Sequence, residues 1–191
     1  MRISGGIAKG RRTAPQKILR KTAAGERLRP TSAKVREAVF DILRDKIEGA
    51  SFLDLYAGTG TMGLEALSRG AQKSFFVEPD DFRFRTMKKS IDEFGFPDRA
   101  YVMKGRADEF VKRHSGEEKV DIIFIDPPYQ SDEVDIILPL IGQTDILSES
   151  GTVIVEHFFK RKMPENAGKL MFVKNYRYGD TMLTFYRKSG S

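Results

Sequence analysis

Three acids stand where apolar runs give out. Asp54 lies near the end of SFLDLY, Glu78 closes KSFFVE, and Asp126 closes VDIIFID. Between the first two runs sits DLYAGTGTMG, in which Gly58, Gly60 and Gly63 make G-x-G-x-x-G. The third acid opens Asp126-Pro127-Pro128-Tyr129. A glycine loop between a strand and a helix lets backbone approach a ligand closely, and it most often holds a pyrophosphate. Here an acid precedes it by four residues. A carboxylate at that place repels a phosphate and suits a cation.

S-adenosylmethionine has an α-ammonium and a sulfonium and carries no phosphate. The spacing therefore points to Asp54, Ala57, Gly58, Thr59, Gly60 and Gly63 as a cofactor loop for that molecule. Glu78 at the end of the next strand can accept from both ribose hydroxyls, as an acid there also does for a nicotinamide dinucleotide. The competing readings are a tight turn before a helix, and an Asp54 that only caps nearby backbone N–H groups.

Asp126 to Tyr129 has a different chemistry. An apolar strand ending in Asp brings a carboxylate to the ligand side of the sheet. Two prolines remove two donors and stiffen the turn, so the Pro127 carbonyl has a defined direction. Tyr129 presents a flat ring. Carboxylate and carbonyl can accept the two hydrogens of an exocyclic amine while the ring stacks on its base. An aromatic amine is a poor nucleophile, and two acceptors favour a more tetrahedral nitrogen. Positioning against a methyl donor supplies much of the remainder.

These groups need a scaffold that brings strand ends together. TSAKVREAVFDILRDKI, residues 31–47, has apolar positions at helical spacing behind Thr31 or Ser32 as cap. Strands are expected at 51–56, 73–78, 100–105, 120–126 and 151–157. Helices are expected at 61–69, 80–95 and 107–114, and at 131–142 with an interruption at Pro139. KLMFVKNYRYGDTMLTFYRK reads as a hairpin around Gly179-Asp180, whose alternating Tyr176, Tyr178, Phe185 and Tyr186 fit a core. Alternating strands and helices predict a Rossmann-like α/β fold, a seven-stranded mostly parallel sheet with an antiparallel C-terminal hairpin.

The bulk numbers agree with a single catalytic domain. The 191 residues are 40% hydrophobic and 31% charged, with no cysteine, which excludes disulfides and thiol nucleophiles. His114 and His157 are too isolated for a metal site, and none is expected. No run reaches the roughly 20 apolar residues of a membrane span. MRISGGIAKG lacks the apolar core of a signal peptide, so a cytoplasmic location is expected. Charge is uneven: residues 1–36 hold eleven Lys and Arg against one acid, Glu26. That block attracts polyanions. Residues 1–30 are taken as a basic β extension and 31–191 as the catalytic domain. Glu156, at the end of the fifth strand, fits either a pocket lining or a solvated strand end.

RPTSAKVREAVFDIL (29–43), FLDLYAGTGTMGLEALSRGA (52–71), DIIFIDPPY (121–129) and YGDTMLTFY (178–186) together resemble the RsmD family of class I S-adenosylmethionine-dependent methyltransferases. That resemblance implies methylation of guanine N2 in bacterial 16S rRNA, with free RNA or the assembling small subunit as partner; a monomer is expected, although nothing in the sequence reads out oligomeric state. It implies that Asp126, Pro127, Pro128 and Tyr129 hold the target guanine. Arg29, Thr31 and Arg36 would face cofactor and RNA, with Lys9, Arg11 and Arg12 gripping RNA backbone. After the third strand the family commonly has Asp-Ala, whose acid reaches the adenine amine. Here GRADEF puts Arg106 at the acid's place and Ala107 after it, and arginine cannot accept. Asp108 or backbone groups would then read the adenine. An adenine-N6 methyltransferase would use the same turn. A nicotinamide oxidoreductase explains the glycines but not Asp54, and a non-catalytic RNA-binding factor explains the arm but not Asp126.

Overall fold

The computed structural model describes residues 2–12, 32–114, 118–128 and 131–190. Its sheet is built from β1 (Ser51–Asp54), β2 (Lys73–Val77), β3 (Ala100–Met103), β4 (Val120–Ile125), β5 (Leu147–Phe158), β6 (Asn166–Ala167), β7 (Leu170–Tyr178) and β8 (Thr181–Lys188). The helices are α1 (Ala33–Ile42), α2 (Thr61–Ser68), α3 (Asp81–Phe94), α4 (Ala107–Arg113) and α5 (Glu133–Gln143). The strand order is β3-β2-β1-β4-β5-β8-β7-β6. Strands β1 to β5 run parallel, and β8, β7 and β6 add antiparallel. Among the described residues the sheet thus has eight strands where seven are expected; the extra one is the two-residue β6 on the outer edge.

Alternation along the central strands sorts two apolar faces. Phe52, Ile122, Phe124 and Ile154 pack under α1 and α2, while Leu53, Ile123, Ile125, Val153 and Val155 pack under α4 and α5. Burial on both faces explains why VDIIFI is apolar apart from Asp121, which is half-buried and accepts from Ser51 N and Ser148 Oγ, both at 2.9 Å. The 31–47 helix is shorter than its periodicity suggests. Ser32 caps α1 by accepting from the Val35 N–H at 3.1 Å, and after Leu43 the chain tightens into a 3-10 turn at Arg44–Lys46. Pro139 sits inside α5 without ending it.

Tyr178 pairs with Thr181 around Gly179-Asp180, and only the glycine has positive φ, at 63°. That is the pattern of a type II′ hairpin turn. Tyr186 and Phe185 are buried, and Tyr176 and Tyr178 pack partly against the α1 core.

Residues 2–12 fold back as a tight loop closed by an Arg2–Arg12 antiparallel bridge and an Ile3 N–H to Arg11 carbonyl bond of 2.9 Å. They dock on α2. Glu65, fully buried in that helix, accepts from Ser4 N at 2.9 Å, Ser4 Oγ at 2.8 Å and Gly5 N at 2.8 Å. Arg36 Nε and Arg69 Nε hold the same carboxylate at 3.2 and 2.8 Å. No described helix is long and apolar enough to cross a membrane.

Candidate active site

Strand order reverses between β1 and β4, since β2 and β3 lie on one side of β1 and β5 lies beyond β4. A crevice at the carboxyl ends of the strands is where such sheets bind ligands. Asp54 is the last residue of β1 and pairs in register with Phe124, two residues before Asp126. The Leu55 N–H bonds to the Phe124 carbonyl at 3.1 Å and carries the pairing past the strand end. Two acids far apart in sequence therefore meet at the switch point.

Their proximity has an electrostatic signature. Asp54 is 2% exposed, and its pKa is pushed up to about 8, first by burial and then by the charge of Asp126. The Tyr56 and Gly63 N–H groups act in the opposite sense, and Glu78 adds a further upward push. So Asp54 does cap local backbone, as one of the competing readings has it. That capping leaves it short of compensation: three acids crowd a buried space and favour an incoming cation over an anion.

The loop between them is shaped by its glycines. Gly58 and Gly60 have φ of 55° and 74°, a region other residues enter at a cost. Gly60 also caps α2, and its N–H bonds to the Ala57 carbonyl at 2.7 Å. Gly63 is helical, and its need is steric. A Cβ there would lie 2.2 Å from the Phe76 ring and 2.6 Å from Ser74 Oγ. Ala57 is tied to β2 by its N–H to the Val77 carbonyl, and the Thr59 and Thr61 hydroxyls are 3.0 Å apart.

Glu78 is buried one residue beyond β2. Its Oε2 accepts from Gly58 N at 2.8 Å and its Oε1 from Asp80 N at 2.9 Å, with Arg83 at 3.6 Å. Burial raises its pKa despite these contacts. The carboxylate thus shapes the glycine loop, and it retains lone pairs for further donors.

Other assigned residues fall elsewhere. Arg36, expected to face cofactor and RNA, is instead buried at 1% exposure, paired with Glu65 and donating to the Arg2 carbonyl at 2.7 Å. Burying a guanidinium requires a paired charge, and Glu65 supplies it. Arg11 is also committed. Its guanidinium donates to the Glu93 and Phe94 carbonyls at the end of α3 and lies 4.8 Å over the Phe94 ring. Lys9 and Arg12 are exposed. Arg106 is exposed at the N-cap of α4 and pairs with Asp108 at 3.1 Å, while Ala107 is buried as the first residue of that helix. Asp108 is held by Arg106 and Lys112. Tyr129, Arg29 and Thr31 lie outside the described residues.

One residue near the crevice has no signal in the sequence. Tyr56 follows β1 and bonds through its hydroxyl to Glu133 at the start of α5; burial and that acid raise its pKa. Nothing in spacing alone links residues 56 and 133. Glu156 has a signal with two readings. It is buried at 3%, and register places it beside Asp126, since Ile125 pairs with Val155. The solvated reading does not hold.

Over residues 1–187 the chain matches the family described as Conserved hypothetical protein 95. The chain belongs to this family, the RsmD family. A Bacillus subtilis relative named "Putative rRNA methyltransferase YlbH" is 34% identical over the whole of both chains. "Ribosomal RNA small subunit methyltransferase D" of Haemophilus influenzae is 29% identical over 82% of this chain and 78% of its own. Among solved structures, "Putative methyltransferase yhhF" of Escherichia coli superposes with a TM-score of 0.84, at 26% identity, over 100% of this chain and 99% of that one. The fold is that of the methyltransferases, and the crevice between β1 and β4 is this RsmD-family member's candidate active site.

Proposed function

We propose that this RsmD-family chain transfers a methyl group from S-adenosylmethionine to the exocyclic N2 of a guanine in 16S rRNA. The observation that carries the reading is the meeting of Asp54 and Asp126 across the switch point, beside the glycine loop. Names of the relatives, which specify ribosomal RNA, support the substrate class.

The residues present suit that cofactor. A buried Asp54 whose pKa is pushed up to about 8 by burial and neighbouring acids suits an incoming ammonium and sulfonium, which would favour its ionised form, and that carboxylate would repel a pyrophosphate. When bound, S-adenosylmethionine supplies an electrophilic methyl group on its sulfonium. Asp54 and the 57–63 loop would hold its methionine end, and Glu78 its ribose. Asp126 then accepts from the target amine, and the Pro127 carbonyl takes the second hydrogen. Both acceptors become stronger partners as the nitrogen gains positive charge, so they act mostly in the transition state. On this reading Asp126 would also take the released proton.

The test is transfer of label from S-adenosylmethionine to naked rRNA, small subunits or DNA, followed by identification of the modified nucleoside. N2-methylguanine from rRNA or the subunit is the expected product. N6-methyladenine would replace the guanine assignment, and no transfer would leave an RNA-binding protein. In the same assay Asp126→Ala should lower kcat by about 10²-fold or more while cofactor affinity changes little. A collapse of cofactor binding with turnover of the bound complex intact would move Asp126 to the cofactor site.

A further inference from the structure

We propose that Arg161 is a positioning residue for the turn that holds the target amine; this rests on the methyl-transfer reading above. Arg161 lies in the link between β5 and β6, about thirty residues beyond that turn in the sequence. Its Nη1 donates to the Ser131 carbonyl at 2.9 Å, and its Nη2 to Asp135 Oδ2 at 2.7 Å. One planar fork thus spans the loop after Pro128 and the first turn of α5. A lysine could not span both acceptors in fixed directions.

Ser131 passes that restraint to the turn. Its N–H and its Oγ both donate to the Pro128 carbonyl, at 2.9 and 2.8 Å. A carbonyl oxygen has two lone pairs, so the Pro128 carbonyl is fully engaged. Among the described residues, none donates to the Pro127 carbonyl. Of the two proline carbonyls, Ser131 occupies that of Pro128, and we assign the one next to Asp126 to the amine. The clamp selects which acceptor the turn presents.

The clamp has its own foundation. The Arg161 N–H bonds to the Phe158 carbonyl at 2.9 Å, closing a tight turn. The Phe159 N–H bonds to the Asp180 carbonyl at 3.0 Å, and the Arg177 guanidinium sits 3.8 Å over the Phe159 ring. The C-terminal hairpin is thereby linked through Phe159, Arg161 and Ser131 to Pro128. Asp135 is 61% exposed in the ion pair, and an exposed pair contributes little to stability. Loss of Arg161 should accordingly show in turnover more than in melting temperature.

Arg161→Ala and Arg161→Lys separate positioning from folding. With 16S rRNA and labelled S-adenosylmethionine, Arg161→Ala should lower kcat by roughly 10- to 100-fold, the scale of a misplaced reacting group. Its cofactor Kd should stay within about twofold of wild type by calorimetry. Arg161→Lys should fall between, and millimolar free guanidinium should restore part of the turnover of Arg161→Ala only. Without any substrate, the Ser131 amide should exchange its hydrogen faster in Arg161→Ala. A kcat within twofold of wild type, an equal fall of kcat and cofactor affinity, or unchanged Ser131 exchange would each overturn the proposal. A wild-type protein that methylates no rRNA would overturn the functional reading, and the exchange measurement would still decide the clamp.

Discussion

A carboxyl group that keeps its proton to about pH 8 makes cofactor binding pH-dependent. On the proposed reading Asp54 must ionise to meet a cationic cofactor, so binding below that pH should release a proton. Apparent affinity should then rise with pH and level off above about 8, by up to about tenfold per unit. The ligand's own amine also titrates, so the comparison to make is with Asp54→Asn, which should bind more weakly and with a flatter profile. Calorimetry across pH 6 to 9 measures both; parallel profiles would remove Asp54 from the cofactor site. Stability of the free protein follows the same ionisation with the opposite sense. The folded pKa lies above the unfolded 3.8, so between about pH 4 and 8 the folded state binds more protons. This group therefore lowers stability as pH rises through that window, and bound cofactor offsets the loss.

At the scale of elements, the glycine loop depends on how closely α2 can lie against β2. Gly63→Ala would force a methyl group into the Phe76 ring and Ser74 Oγ. Overpacking of this kind costs about 1–3 kcal/mol, and it should lower the melting temperature and weaken cofactor binding together. A variant of wild-type stability would show that β2 can yield. The same loop illustrates what is legible without the fold. Glycine spacing, Asp54, Glu78 and the Asp126 turn are local signals, and alternation of strand and helix puts them at strand ends. The anchors are not legible. Glu65 reads as one acid in TMGLEALS, and its partners Ser4, Gly5 and Arg36 come from two other segments. Arg36 sits among basic residues in the sequence, so charge count alone places it on the surface. Burial and pairing are properties of the assembled fold, and no single segment encodes them.

For the molecule as a whole, the basic N-terminal block divides into two roles. Lys9, Arg11 and Arg12 are all exposed, but the Arg11 guanidinium is engaged with the carbonyls at the end of α3, where a cation meets the free end of the helix. Replacing Lys9 and Arg12 by alanine should weaken RNA binding and flatten its salt dependence, by about one unit of slope for each phosphate no longer neutralised. Arg11→Ala should act chiefly on melting temperature. Filter binding across a salt series, with thermal melts alongside, distinguishes the two; an unchanged slope for the double variant would remove these residues from the RNA-binding surface. The pairing of β1 with β4 has a consequence of another kind, in time. Phe52 meets Ile122 across two intervening strand–helix units, the most sequence-distant pairing of the sheet. Pairings this remote close large loops and form slowly. Asp54 and Asp126 are neighbours only once that closure is made. A chain still in synthesis, or one folded only as far as β3, has a glycine loop but no acceptor across from it. The proposed chemistry therefore requires the β1–β4 pairing, and a chain that lacks it does not bring Asp126 to the glycine loop.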